Sequence, residues 1–175
     1  MTEHGLDDLW AKAEKDDDFL ALAASVAPLP PRSGRRELLL AAIEARPWEP
    51  FVNRVAALID VSTEKAASYL NSMLDKFVPA PWTNVEWIHL EAGPATAGCD
   101  VGILRVAPEQ EFPFHTHGGE EVILVLQGGY QNDDGSVHRA GDLCRQREGH
   151  SFTALPGQPL IYLVVVPGVE FPEAS

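Results

Sequence analysis

The stretch that decides the fold is Phe114-His115-Thr116-His117-Gly118-Gly119-Glu120-Glu121, which continues into the apolar run 122–126 and then Gly128-Gly129. Side chains alternate across an extended strand, so His115 and His117 present their imidazoles on the same side. The glycine pair can turn the backbone, and Glu121 then begins a second strand from which its carboxylate can face the histidines. The pattern predicts two strands that bring two imidazoles and one carboxylate together.

Imidazoles and a carboxylate on neighbouring strands form the open-sided ligand set that proteins use for divalent metals such as zinc or iron. His150 follows about one hairpin downstream and is a candidate for a third imidazole. The alternative is that the two histidines are polar residues of an edge strand and that Glu120 and Glu121 are a solvated pair. We favour the metal site, because the histidines, the glycines, the acid and a buried strand rarely occur together in this order.

The spacing His115-x-His117-x3-Glu121-x6-Gly128 resembles the first conserved motif of the cupins, small β-barrels that usually hold a metal in the mouth. The longer string 112–129, together with Asp134-Gly135, Ala140-Gly141-Asp142 and His150-Ser151-Phe152, is similar to a narrower group, the ChrR-like cupins. That group is named for zinc-binding anti-sigma factors that join a helical sigma-binding segment to a C-terminal cupin. The resemblance covers about residues 82–167.

This resemblance implies a fold, a ligand set and partners. The fold is mainly β, a cupin (RmlC-like jelly-roll) β-barrel at 81–175 preceded by an α-helical segment at 1–80. His115, His117, Glu121 and His150 carry over as ligands of a divalent metal ion, zinc first, with iron, manganese and nickel as alternatives. A sigma factor or another regulatory protein is the implied partner, a small molecule is the implied ligand of the barrel mouth, and a homodimer is the implied assembly.

The sequence departs from the family pattern at three places. Glu109 stands where a glycine normally opens the first motif, and Gly141 lies nine residues before His150 where the common pattern has eleven. A shift of two residues keeps the facing of a strand side chain, so His150 can still point inward. The helical segment of ChrR-type anti-sigma factors usually has a zinc motif of one His and two Cys, and no cysteine precedes Cys99 here.

The charge and the cysteine content of the chain argue against nucleic-acid binding, membrane binding and a disulfide-stabilised fold. The formal net charge is -13, and beyond residue 84 the basic residues are only Arg105, Arg139, Arg145 and Arg147. Nucleic-acid and anionic-membrane surfaces need clustered Lys and Arg, so we expect neither partner. The two cysteines form no close pair, which fits a reducing cytoplasm. The first residues contain no signal peptide pattern, and no stretch is long and apolar enough for a transmembrane span.

The first half of the chain predicts helices. Apolar residues recur at helical spacing over 6–26, Ser33 can cap a helix through 37–45, Pro47 opens another through 51–59, and Ser62 can cap a fourth. The segment 54–70 also has the spacing of a DNA-binding helix-turn-helix. Its second helix has only Lys65 as a basic residue, so we interpret both apolar stripes as packing faces.

From about residue 81 the sequence predicts strands. Short apolar runs occur at 85–90, 101–106, 121–126 and 159–166, and 132–136 has the composition of a hairpin turn. Alternation would place Val101, Ile103 and Arg105 on one face, where an inward Arg105 would be a binding group. The spacing of these runs is typical of an antiparallel barrel or jelly roll.

Other candidate residues have simpler interpretations. We expect His89 and His138 to be edge or exposed histidines, Cys144 to be a small buried side chain, and Glu120 to face away from Glu121. Two function classes remain: a ChrR-like regulatory or sensory module, and a small metal-dependent enzyme of the dioxygenase or isomerase type. Fold alone hosts too many activities to decide between them, and the family resemblance favours the regulatory module.

Overall fold

The computed structural model describes residues 36, 47–81 and 84–171. The chain divides into two compact units, 1–45 and 46–175. The helices predicted over 6–26 and 37–45 lie outside the described residues, and Arg36, just before the second range, is helical. The predicted boundary at residues 80/81 stays a prediction. Within the described ranges, no helix combines the length and apolar character needed to cross a bilayer.

Within residues 47–81, two helices precede the first strand. Helix α1 is Val52–Leu58 and follows a 3-10 turn at Glu49–Phe51, and helix α2 is Thr63–Ser72 and continues into a 3-10 turn at Met73–Asp75. The Ser62 side chain accepts a hydrogen bond from the Lys65 amide, so the predicted N-cap of α2 is confirmed. The helix predicted to open near Pro47 is confirmed as well.

In the part of the chain that the structure describes, eleven strands build two facing sheets. In chain order they are β1 Val78–Pro79, β2 Val85–His89, β3 Asp100–Val106, β4 Glu111–His117, β5 Glu121–Gln127, β6 Gly129–Asn132, β7 Val137–Arg139, β8 Leu143–Gln146, β9 His150–Ala154, β10 Leu160–Val166 and β11 Val169–Glu170. The six-stranded sheet has the order β1-β2-β3-β10-β5-β8, and the five-stranded sheet has the order β11-β4-β9-β6-β7. This is the jelly-roll barrel that the sequence predicts, although the two sheets are not joined into a closed cylinder.

The apolar residues form two cores, one on each side of the six-stranded sheet. Val55, Ile59 and Leu70 of the helices pack on its outer face against Ile103 of β3. The barrel interior contains Leu104, Val106, Phe112, Tyr130, Phe152 and Tyr162, among others. Strand β10 is buried along its whole length because both of its faces are covered, which explains why it reads as one continuous apolar run.

Arg105 lies on the outer face of β3, so it is not a group of the barrel interior. Its guanidinium forms an ion pair with Glu86 at 2.6 Å and stacks over the Phe77 ring at 4.4 Å from the centroid. The alternation of Val101, Ile103 and Arg105 is confirmed, but this face is the one that packs against the helices. Arg105 therefore has a structural role beside the helices.

Candidate metal centre

Three strands bring the four predicted ligands to one place in the barrel. Strand β4 contributes His115 and His117, which share its inward face, and β5 begins with Glu121. Strand β9 begins with His150, directly opposite His115 in the antiparallel pairing of β4 and β9. The side chains of His115, Glu121 and His150 are buried, and the side chain of His117 has no solvent exposure.

The four side chains are close enough to share one ion. Their ligand atoms all lie within 4.8 Å of one another. The Nε2 atoms of His117 and His150 are 3.5 Å and 3.6 Å from the same Glu121 oxygen, Oε2. Two ligands held about 2.1 Å from a tetrahedral ion are about 3.4 Å apart. These separations are long for hydrogen bonds and suit two ligands of one metal.

Several of these ligand atoms lack hydrogen-bond partners, which also indicates that they share a metal ion. Among the described residues, no hydrogen-bond partner exists for either ring nitrogen of His117 or for Glu121 Oε2. Buried polar atoms are normally satisfied, because leaving one without a partner costs about 1–3 kcal/mol. The residues present therefore fit a divalent cation, which would satisfy several of these atoms at once.

His115 is oriented by its own strand. Its Nδ1–H donates a hydrogen bond to the Pro113 carbonyl at 2.9 Å. A carbonyl can only accept, so the bond requires the Nδ1 proton and leaves the Nε2 lone pair available for a metal. Such a backbone partner fixes the tautomer and the ring orientation of metal-binding histidines in general.

Burial sets the protonation of the cluster. It lowers the pKa of His115 to about 4, with a smaller lowering from His150, and it also lowers the pKa of His117 and of His150. Burial raises the pKa of Glu121 to about 7. Neutral imidazoles with free lone pairs are the form that binds metal, whereas the Glu121 carboxyl must lose its proton when an ion binds.

The protonation of His115 can be measured in metal-free protein. We expect its ring to stay neutral, with the proton on Nδ1, as the pH falls to about 4, because burial opposes the charged form. Ring ¹⁵N shifts of chelator-treated protein report both the charge and the tautomer. Titration near the ordinary value of 6.5, or a proton on Nε2, would contradict this description of the site.

The short connection before His150 does not misplace the residue. Strands β8 and β9 belong to different sheets and are joined by 147–149 alone. A Cβ at Gly149 would lie 2.8 Å from the His115 carbonyl oxygen and 2.7 Å from the Phe114 ring. A glycine at this position therefore lets the connection pass tightly against β4. His150 faces inward in the shortened motif, as a two-residue shift predicts.

The remaining candidates lie outside the cluster. His89 is exposed against the edge of the Trp87 ring, and His138 contacts the Asn132 amide at 3.3 Å. Cys144 is buried and forms no disulfide, and burial raises the pKa of its thiol. Glu120 faces away from the site and binds Arg145 at 2.7 Å and Arg147 at 3.3 Å. These placements agree with the interpretations drawn from the sequence.

Sequence reasoning missed the surroundings of the cluster. A cavity of about 320 Å³ adjoins His115 and Glu121, and Phe171 after β11 stacks on the His115 ring at 5.7 Å between centroids. The Pro113 carbonyl was missed as well. No single stretch of sequence predicts the cavity, because its lining residues come from several strands that are far apart along the chain.

Residues 66–168, more than half of the chain, match a family model described as the ChrR Cupin-like domain. Comparison with curated proteins gave no significant match. Among solved structures, a chain of the Rhodobacter sphaeroides SigE complex with the anti-sigma ChrR is similar at 22% identity and a TM-score of 0.51, over 83% of this chain and 72% of that one.

Cupin enzymes are structurally similar over a smaller part of the chain. A putative acetylacetone dioxygenase from Methylibium petroleiphilum has 17% identity and a TM-score of 0.48, over 56% of this chain and 75% of that one. An acetylacetone dioxygenase from Acinetobacter johnsonii has 19% identity and a TM-score of 0.48, over 57% and 73%. At such identities these likenesses concern the fold alone.

Proposed function

Because this chain belongs to the ChrR cupin-like domain family, we propose that it is a regulatory or sensory module whose barrel holds one divalent metal ion. The observation that carries the proposal is the buried cluster of three imidazoles and one carboxylate, whose ligand atoms lie within 4.8 Å of one another. In this proposal His115, His117 and His150 bind the ion through nitrogen and Glu121 binds it through oxygen.

The chemistry of these ligands favours zinc. Four protein ligands from nitrogen and oxygen complete a tetrahedral zinc site, and such closed sites are typical of structural or sensory roles. Iron, manganese and nickel also accept imidazole and carboxylate ligands, and they add coordination positions. A bound ion would act as a Lewis acid and as a cross-link between β4, β5 and β9.

A sigma factor is the partner that we propose for the regulatory role. The support is the similarity to a chain of the SigE–ChrR complex over 83% of this sequence. The helical segment predicted at 1–80 is where a partner would bind in this proposal. No cysteine precedes Cys99, so the segment would contact the partner without the His/Cys zinc motif of ChrR-type anti-sigma factors.

Two measurements test the regulatory role together. Elemental analysis of protein purified without added metal and without a histidine tag is expected to give about one zinc per chain. Pairwise co-purification with the sigma factors of the same genome is then expected to give one stable complex, which a chelator weakens if the metal is sensory. Zinc-loaded protein that binds none of these sigma factors would contradict the regulatory proposal and leave the metal site intact.

The cavity beside His115 and Glu121 favours a second candidate, a small metal-dependent enzyme of the dioxygenase or isomerase type. Its volume of about 320 Å³ lies at the lower end of the range for small-molecule sites. Iron, manganese or nickel at one equivalent, with oxygen consumption in the presence of small organic acids or diketones, would favour this candidate. The homodimer and the cytoplasmic location stay predictions, which light scattering and fractionation would test.

A further inference from the structure

We propose that the groove between the β6–β7 hairpin and β8 is a second binding site, and that its ligand is a small amino acid in the zwitterionic form. The groove has a volume of about 330 Å³. Its lining residues come from β6, β7, β8 and the turns that follow β6 and β8. Among the described residues that line it, none is a proposed metal ligand, so the inference does not depend on the proposed metal ion.

The groove lies where the barrel is open. Within the described part of the chain, β7 is an edge of the five-stranded sheet and β8 is an edge of the six-stranded sheet, and the two strands are not paired with each other. Side chains of both sheets therefore line one gap. The hairpin wall of this gap provides hydrogen-bond acceptors, and the β8 wall provides donors.

Asn132 is the buried polar residue of the hairpin wall. It is 8% exposed, and its Nδ2 donates a hydrogen bond to Ser136 Oγ at 2.9 Å and lies 3.3 Å from His138 Nε2. Its Oδ1 has no hydrogen-bond partner among the described residues. Buried acceptors are normally satisfied, so Oδ1 needs a donor from outside the chain. Because Asn132 lines the groove, a ligand with N–H groups can supply this donor.

Asp134 adds a charged acceptor to the same wall. Its Oδ1 accepts a hydrogen bond from the Ser136 amide at 2.8 Å, and its side chain is exposed. Ser136 therefore contacts both Asn132 and Asp134, which places the two acceptors on either side of one residue. An ammonium group has three N–H donors and suits a wall with two neighbouring acceptors.

The β8 wall contains two guanidinium groups. Among the described residues, Arg145 binds Glu120 through Nη1 and Arg147 binds it through Nε. A guanidinium has five N–H donors, so each arginine keeps donors for the carboxylate of a ligand. Glu148 also lines the groove and disfavours a ligand whose only charge is negative. A zwitterion gains from both walls, whereas a ligand with one charged end gains from one.

Unbranched amino acids from glycine to 6-aminohexanoic acid provide the test, because the series varies the separation of the two charges. We expect at least one member to bind the full chain saturably in an NMR titration, with the largest amide shifts at Asn132, Ser136 and Arg147. The carboxylic acid and the amine of the same length each lack one charge and should bind at least about tenfold more weakly. Lack of saturable binding across the series, equal binding of the singly charged analogues, or shifts centred on the metal cluster would each overturn the inference.

Variants assign the binding to the two walls. An Arg145→Gln, Arg147→Gln variant should bind the amino acid at least about tenfold more weakly, and so should Asp134→Asn, which keeps an acceptor for the Ser136 amide. Arg139→Gln, at an exposed arginine of β7 that does not line the groove, is the matched control. Circular dichroism checks that each variant is folded. Affinity that is unchanged in either wall variant, or that falls equally in the control, would contradict the assignment.

Discussion

A His115→Ala, His117→Ala double variant is expected to lose the metal almost completely, from about one ion per chain to less than about a tenth. The reason is geometric, because β4 supplies two of the four ligands and the variant leaves only Glu121 and His150. Two ligands from separate strands do not hold an ion against water and competing chelators. Elemental analysis of the purified variant, after folding has been checked by circular dichroism, gives the result.

The matched control removes two other histidines. His89 and His138 lie outside the cluster, so a His89→Ala, His138→Ala variant should retain one ion per chain. If the variant without His115 and His117 kept stoichiometric metal, the site assignment would be wrong. Loss of metal from both variants to the same degree would likewise show that binding does not depend on the cluster.

A Glu121→Gln variant is expected to have opposite effects on the metal-free and metal-loaded protein. In metal-free protein the pKa of Glu121 is raised to about 7 from an ordinary value of 4.5, so the folded state holds this proton more tightly than the unfolded state. The stabilisation that comes from the raised pKa of Glu121 is therefore greatest below pH 4.5, and it is lost as the pH rises to 7. At pH 8 the ionised carboxylate therefore lowers the free energy of unfolding of the metal-free protein by about 3 kcal/mol. A glutamine at this position has no charge and removes that cost.

Chemical denaturation of chelator-treated protein measures this gain. We expect Glu121→Gln to raise the free energy of unfolding by up to about 3 kcal/mol at pH 8 and to change it little near pH 4.5. With zinc added, the wild type should become more stable through binding, and the variant should gain far less because it lacks the anionic ligand.

Glu120→Gln is the control for the neighbouring position. Glu120 pairs with Arg145 and Arg147 on the outside of the barrel, where exposed ion pairs contribute little, so its loss should change stability only slightly and should leave metal binding unchanged. A metal-free Glu121→Gln protein that is less stable than the wild type at pH 8 would contradict the account of a desolvated, uncompensated carboxylate.

Local sequence patterns predicted much of this structure. The Ser62 cap, the hairpin turn at 132–136 and the strands around the first motif are each determined by residues close in sequence, and all are present. Glu121 lies close to the two histidines because the short turn at Gly118-Gly119 joins β4 directly to β5. Their common inward face follows from strand alternation.

Features that depend on distant residues were harder to predict. The facing of Arg105 depends on which side of β3 the helices cover, and the alternation alone does not say which face is inward. The position of His150 depends on its pairing with His115, thirty-five residues away, and on the close passage that Gly149 allows. The cavity arises where residues of six strands and Phe171 meet, so no single segment encodes it.

The most direct test of the central claim is a crystal structure of the zinc-loaded chain with diffraction data collected on both sides of the zinc absorption edge. The claim predicts one anomalous peak per chain, about 2.0–2.2 Å from the ligand atoms of His115, His117, Glu121 and His150. A stoichiometric zinc bound elsewhere on the chain, with no peak between these four side chains, would contradict it.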